Sequence, residues 1–161
     1  AIPDCVATAV ASSKTTGREP VPRSAYIAKC YLNEADADRV RTLVKDQAEL
    51  TSSAWCRPEL ACIFLRHIRE GGLTRRQARE LHDLFLDDVR VGVWTLLPVS
   101  TEVLERLEER LRRLRRRNLY LRAGDAVHLS TAATSGFEEI WTNDRHMLDA
   151  CRSFGLRGRS V

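Results

Sequence analysis

The 161-residue chain has no apolar run approaching the ~20 residues that a membrane-spanning helix needs, so such a helix is excluded. Its five cysteines (Cys5, Cys30, Cys56, Cys62 and Cys151) are odd in number and scattered, and no pair has the spacing of zinc ligands. A disulfide framework and a zinc site are therefore not expected. The cysteines read as small buried hydrophobes in a reducing cytoplasm, with Cys56 and Cys62 on a mostly apolar face. The opening stretch "AIPDCVATAVASSK" has no basic leader and carries Asp4 early, which does not fit a signal peptide. No repeat, low-complexity tract or hairpin signal stands out. Aromatic residues make up 6% of the chain, and Trp55, Trp94 and Trp141 lie in or beside apolar segments, as core residues do.

What is present is an ordinary globular composition: 43% hydrophobic and 30% charged residues. The net charge of +4 permits a polyanionic partner without requiring one. Residues 11–23 hold serine, threonine, glycine and two prolines and read as loop, so an irregular segment 1–22 is expected to precede a domain over 23–161. From there the pattern is regular. "SAYIAKCYL" predicts a short helix or a strand-to-helix turn, and "EADADRVRTLVKDQ" a helix. "ELTSS", "VGVWTLLPV", "EEIWT" and "LRGRSV" predict strands. Helices are expected over "PELACIFLRHIREGG" with Pro58 in first position, over "TRRQARELHDLFLDDVR" capped by Thr74, and over "STEVLERLEERLRRLRRRN" with Leu104, Leu107, Leu111 and Leu114 as its seam. "GDAVHLSTAATSG" predicts a closely packed small-residue helix, and "NDRHMLDACRSFG" a last helix ending at Gly155. Strands alternating with helices imply an α/β three-layer sandwich, with a central parallel sheet of four or five strands flanked by helices.

Three acids share one local situation. Glu59 follows "ELTSS" and opens a helix, Asp144 follows "EEIWT" and opens another, and Asp125 opens the small-residue helix. Alone, each is accounted for by the free amides and dipole of a helix N-terminus. Together they lie where a parallel sheet gathers its site, beyond the carboxyl ends of its strands. Convergent carboxylates repel one another unless a cation neutralises them, and oxygen ligands select Mg²⁺ or Mn²⁺.

Over these segments the chain, from about Ser24 onward, resembles the PIN-domain proteins of the VapC toxin type. The resemblance is carried by "SAYIAKCYLNEADADRV", by "TSSAWCRPELA" with Glu59, by "LRAGDAVHLSTAA" with Asp125, and by "IWTNDRHML" with Thr142 and Asp144. It implies a metal-dependent endoribonuclease, the toxin of a toxin–antitoxin pair, soluble in the cytoplasm, acting on RNA, neutralised by a cognate antitoxin and forming a homodimer. It assigns Glu59, Asp125 and Asp144 as catalytic and metal-binding residues, and Ser24, Thr142 and Asn143 as accessory ones. Thr142 and Asn143 would cap the following helix or orient a water. The family's first acid falls at Arg23, in "PVPRSAYIAK". A guanidinium there would oppose a cation and could pair with Asp125 or Asp144 instead. Two alternatives follow: Asp4 takes the place of the missing acid, or the chain is a catalytically inactive PIN module that binds RNA or an antitoxin. A third, an oligomeric scaffold, requires the acids to diverge.

The arginine-rich run "RLEERLRRLRRRNLYLR", with Arg113, Arg116 and Arg117, reads equally as an RNA-binding groove or as a solvated helix face paired with its own glutamates. His128, one turn after Asp125 in an apolar helix, reads as a hydrogen-bonded structural histidine. His67, His82 and His146 read as surface helix residues.

Overall fold

A computed structural model describes residues 21–22, 24–45, 47, 49–114 and 119–160; the side chains of Val21, Pro22 and Ser24 are outside that description. Arg23 and Asp4, on which the missing-acid question turns, and Arg116 and Arg117 also lie outside the described residues.

The alternation of strand and helix produces parallel ladders, as the sequence implied. Strand β1 (Val21–Pro22) pairs with β4 (Glu139–Trp141), and β4 with β5 (Arg157–Arg159), all parallel. Strands β2 (Leu50–Ser53) and β3 (Trp94–Leu97) form a second parallel ladder in the register Leu50↔Trp94 to Ser53↔Leu97. The backbone of β1 also runs beside β2. With one proline in two residues, β1 has a single amide to give, which suits a short strand bonded along one side. Its two residues lie in the stretch that the sequence marked as loop.

The helices are α1 (Ser24–Tyr31), α2 (Ala37–Lys45), α3 (Cys56–Arg69), α4 (Arg75–Arg90), α5 (Thr101–Arg113), α6 (Ala123–Thr134) and α7 (Arg145–Cys151). A 3₁₀ turn follows at Arg152–Phe154, and the chain reverses at Gly155, whose φ of 75° favours a residue without Cβ. Thr74 and Gln77 form a reciprocal capping box that fixes the start of α4, an arrangement in which the cap contributes about 1 kcal/mol. Ser100 caps α5 through the Val103 amide.

Two apolar clusters hold the layers. One gathers Tyr26, Ile27, Leu60, Phe85 and Trp94 from α1, α3, α4 and β3. The other gathers Leu129, Ile140, Met147, Ala150 and Phe154 from α6, β4, α7 and the 3₁₀ turn. Within the first, the Trp94 indole donates to the Tyr31 hydroxyl at 2.9 Å, and that hydroxyl donates to buried Asp88 at 2.7 Å. Burial, with Asp88 beside it, pushes the Tyr31 phenol far above its ordinary range, so it stays a donor. Helix α6 is the spine between the two ladders: it packs on β2 and on β4, and residues 125–132 are all buried. Its small side chains (Ala, Ser, Thr) let it lie close to both.

Several expectations are corrected. Helix α3 begins at Cys56, so Pro58 is its third residue. The buried stripe of α5 runs through Val103 and Leu107, while Leu104 and Leu111 are 46% and 41% exposed, because the helix turns its 103–107 face toward α6. Cys62 is exposed, and so is Trp55, since Cys62 of α3 and the N-cap residue Trp55 face away from the Leu60–Phe64 stripe. Trp94 is core, and Trp141 is partly buried against the first cluster. Cys30, Cys56 and Cys151 are buried thiols as expected; burial pushes Cys56 up to about 12 and Cys151 up to about 11, which keeps both protonated. His67, His82 and His146 are half-buried rather than surface residues, and His67 Nε2 lies 2.8 Å from Glu34 Oε1.

Candidate active site

Strand β2 ends at Ser53, the chain turns through Ala54 and Trp55, and α3 carries Glu59 in its first turn. The turn is pinned to the neighbouring strand by Ala54 N–H donating to the Leu97 carbonyl at 2.8 Å. Facing it is His128 on α6, fully buried. His128 Nε2 is 2.8 Å from Glu59 Oε2, and Nδ1 is 2.9 Å from Ser53 Oγ. With Nε2–H donating to the carboxylate, Nδ1 is left to accept the serine hydroxyl, so both ring nitrogens are satisfied. One imidazole thus ties the end of a strand, the start of a helix and the central helix together, with the Glu59 carboxylate at the end of the chain of bonds. The structural histidine expected from the sequence is found, and its partner is the acid itself.

The other oxygen of Glu59 explains Gly124. A Cβ at position 124 would stand 2.5 Å from Glu59 Oε1 and 2.9 Å from Trp55 Nε1, distances at which something must move. Glycine in the first turn of α6 costs helix propensity. Here it lets the Glu59 carboxylate rest against the backbone next to Asp125.

Asp125 is the third residue of α6 and is 2% exposed. Asp144 is the N-cap of α7, its Oδ1 accepting the His146 amide at 2.8 Å and the Met147 amide at 3.2 Å. Capping is therefore one of its roles. Thr142 is buried; its Oγ1 accepts the Asp144 amide at 3.1 Å, and its own amide donates to the Arg159 carbonyl. Asn143 Oδ1 accepts the Tyr26 hydroxyl at 2.7 Å. Both accessory residues act on the backbone that presents Asp144, and Tyr26 ties that loop to α1. Ser24 opens α1.

Arg122, the residue before α6, is exposed. Its guanidinium is held in the charged form by the Tyr120 hydroxyl first, and then by the Asp125 and Asp144 carboxylates. Gly124 brings the Glu59 carboxylate to the end of α6 that carries Asp125. The donors are carboxylate oxygens, the chemistry that a hard divalent cation takes. Among the described residues, however, no three His, Cys, Asp or Glu side chains stand together so that they could hold a metal ion. The donor set fits Mg²⁺ or Mn²⁺ in kind, while one oxygen of Glu59 is occupied by His128 and one of Asp144 by its cap.

Ser53, Tyr26, Gly124 and Tyr120 were not anticipated as site residues, and Arg122 was read only as the last arginine of the possible RNA-binding run. A glycine directly before the motif acid is a readable signal at 124; the others become visible only when the chain is folded. Within the arginine run, Arg106, Arg112 and Arg113 pair with Glu102, Glu108 and Glu109 one turn back, and Arg110 donates to the Ser153 carbonyl and lies over Phe154. These contacts favour the solvated helix face over a phosphate groove for the described part of the run.

Comparison with known proteins bears on this arrangement. No curated protein matches the chain at a significant level. The fold is similar to the crystal structure of VapBC2 from Rickettsia felis bound to a DNA fragment from their promoter: the TM-score is 0.62 at 15% identity, over 87% of this chain and 96% of that one. A family model described as the PIN domain matches residues 24–152, which include Glu59, Asp125 and Asp144. The chain belongs to the PIN-domain family, whose members are generally nucleases.

Proposed function

We propose that this protein is an endoribonuclease and the toxin of a toxin–antitoxin pair, with Asp125, Asp144 and Glu59 as its acids. The reading is supported by the Glu59 carboxylate resting against Gly124, the residue before Asp125, and by the match to the PIN domain over residues 24–152. A divalent cation of the Mg²⁺ or Mn²⁺ kind, held by Asp125 and Asp144 with Glu59 aiding directly or through water, would supply a water acidic enough to attack a phosphodiester. The chain's own groups do the rest. His128 and Ser53 fix the direction of Glu59, Thr142 and the α7 cap fix Asp144, and Arg122 offers positive charge to the phosphate and to the negative charge that develops on it. An antitoxin partner is supported by the structural neighbour, itself a VapBC complex. A groove of about 480 Å³ beside Glu59, with Trp55, Pro58, Cys62 and Ile63 in its wall, has the apolar lining that a peptide needs. The homodimer and the RNA substrate come from the family resemblance.

Arginine at position 23, where the family has its first acid, favours a second reading: an inactive PIN module that still binds RNA or its antitoxin. The test is cleavage of a fluorescent RNA by purified protein with Mg²⁺, Mn²⁺ or EDTA. Wild type should cleave only with metal, and Asp125→Asn should lose at least a hundredfold in rate while unfolding at nearly the same temperature. Equal cleavage by Asp125→Asn removes the site assignment. No cleavage by wild type, with cleavage by Arg23→Asp, selects the inactive module.

A further inference from the structure

Tyr120 is a large ring left 56% exposed in the segment leading into α6. Its neighbours are polar. The ring centroid is 4.8 Å from that of His146 at an interplanar angle of 60°, and the Arg122 guanidinium carbon is 5.9 Å from it. Both neighbours border the acids: the His146 amide donates to Asp144 Oδ1 at 2.8 Å, and Arg122 is the N-cap residue of α6, three residues before Asp125. An aromatic face, an imidazole and an exposed guanidinium therefore border the carboxylates on the Asp144 flank.

We propose that Tyr120, with His146 and Arg122, forms a stacking subsite that takes a base of single-stranded RNA beside the phosphate addressed by Asp125 and Asp144. The inference rests on the ribonuclease reading for its substrate. The chemistry favours RNA over a peptide. Every base has a π-face that an exposed ring can stack on. A guanidinium with five N–H donors can serve a carboxylate and a phosphate together. The apolar concavity that a peptide would use lies along Trp55, Pro58 and Ile63 instead. Tyr120 keeps more than half of its surface open to solvent with His146 and Arg122 beside it. The subsite would hold the base next to the cleaved bond, whichever nucleotide supplies it.

The experiment is fluorescence anisotropy of a labelled eight-nucleotide RNA with the full chain in EDTA, where binding is read without cleavage. Tyr120→Ala should weaken binding by about tenfold or more, given ~1–3 kcal/mol per stacked base, and Tyr120→Phe should bind as wild type does. An oligonucleotide with abasic positions should bind wild type and Tyr120→Ala equally. Arg122→Gln should flatten the salt dependence by about one phosphate contact. Unchanged RNA affinity in Tyr120→Ala overturns the proposal and leaves the patch to a protein partner. An equal loss on intact and abasic RNA also overturns it, because no base would then be in contact. Tyr120-dependent binding in a chain that does not cleave supports the subsite and fails only the activity.

Discussion

The Glu59 flank and the Asp144 flank of the site are built on different terms. On the first, every polar atom of a buried imidazole is used, the acid is aimed by Ser53 and His128, and a glycine clears its second oxygen. On the second, the acid caps a short helix, its loop is held by Thr142 and by the Tyr26–Asn143 bond, and an aromatic ring and a guanidinium stand open to solvent beside it. The first flank spends its interactions inside the protein, and the second keeps donors and a ring face turned outward. A carboxylate that must keep one orientation belongs in the first setting. Groups that meet different nucleotides in turn belong in the second. Preorganisation of one half leaves recognition to the other.

The largest effect that would break this comparison is on His128. His128→Ala empties a fully buried ring position and strands the Ser53 hydroxyl and the Glu59 carboxylate. A loss of about 2–4 kcal/mol is expected from the cavity and the unpaired groups. For a chain of this size that corresponds to a melting temperature lower by roughly 5–15 °C. His146→Ala, on the open flank, should stay within about 1 kcal/mol of wild type. Calorimetric melting of the two variants checks this, and equal losses would erase the distinction between the flanks.

A smaller but sharper effect is expected at Gly124. Alanine gains up to about 1 kcal/mol of helix propensity, yet its Cβ lands on Glu59 Oε1. Because the atom displaced ends a side chain, stability should change by less than about 1 kcal/mol, while turning Glu59 from its His128-bound orientation should cost about tenfold or more in cleavage. Melting and cleavage measured on one preparation separate the two. A more stable Gly124→Ala with full activity would mean that the Glu59 carboxylate need not be held where it is.

How much of this was legible beforehand follows from the range of the interactions. Strand and helix order, the Thr74 cap and the reversal at Gly155 are set by neighbours within a few residues, and the sequence shows them. The three acids were legible because each begins a helix, and two of them directly follow predicted strands. The Ser53–His128–Glu59 chain joins residues 53, 59 and 128, and only the packing of α6 on β2 brings them together. Trp55 and Cys62 were read as inward because their surroundings are apolar, but a helix phase set by Leu60 and Phe64 turns them out. Tyr120 and Arg122 lie in an aperiodic stretch, where no pattern signals which way a side chain faces.

The central claim is that Asp125 and Asp144 hold one ion. Its most direct measurement is an isothermal titration of Mn²⁺ into wild type, Asp125→Asn, Asp144→Asn and the double variant. Asparagine caps a helix about as well as aspartate, so folding should be preserved in all four. One site is expected in wild type, weakened by about tenfold or more in each single variant. The double variant should lose less than the sum of the two, as ligands of a shared ion do. Mn²⁺ affinity that is the same in all four proteins would contradict the account and leave Asp144 as a helix cap and Asp125 as a buried acid of the first turn of α6.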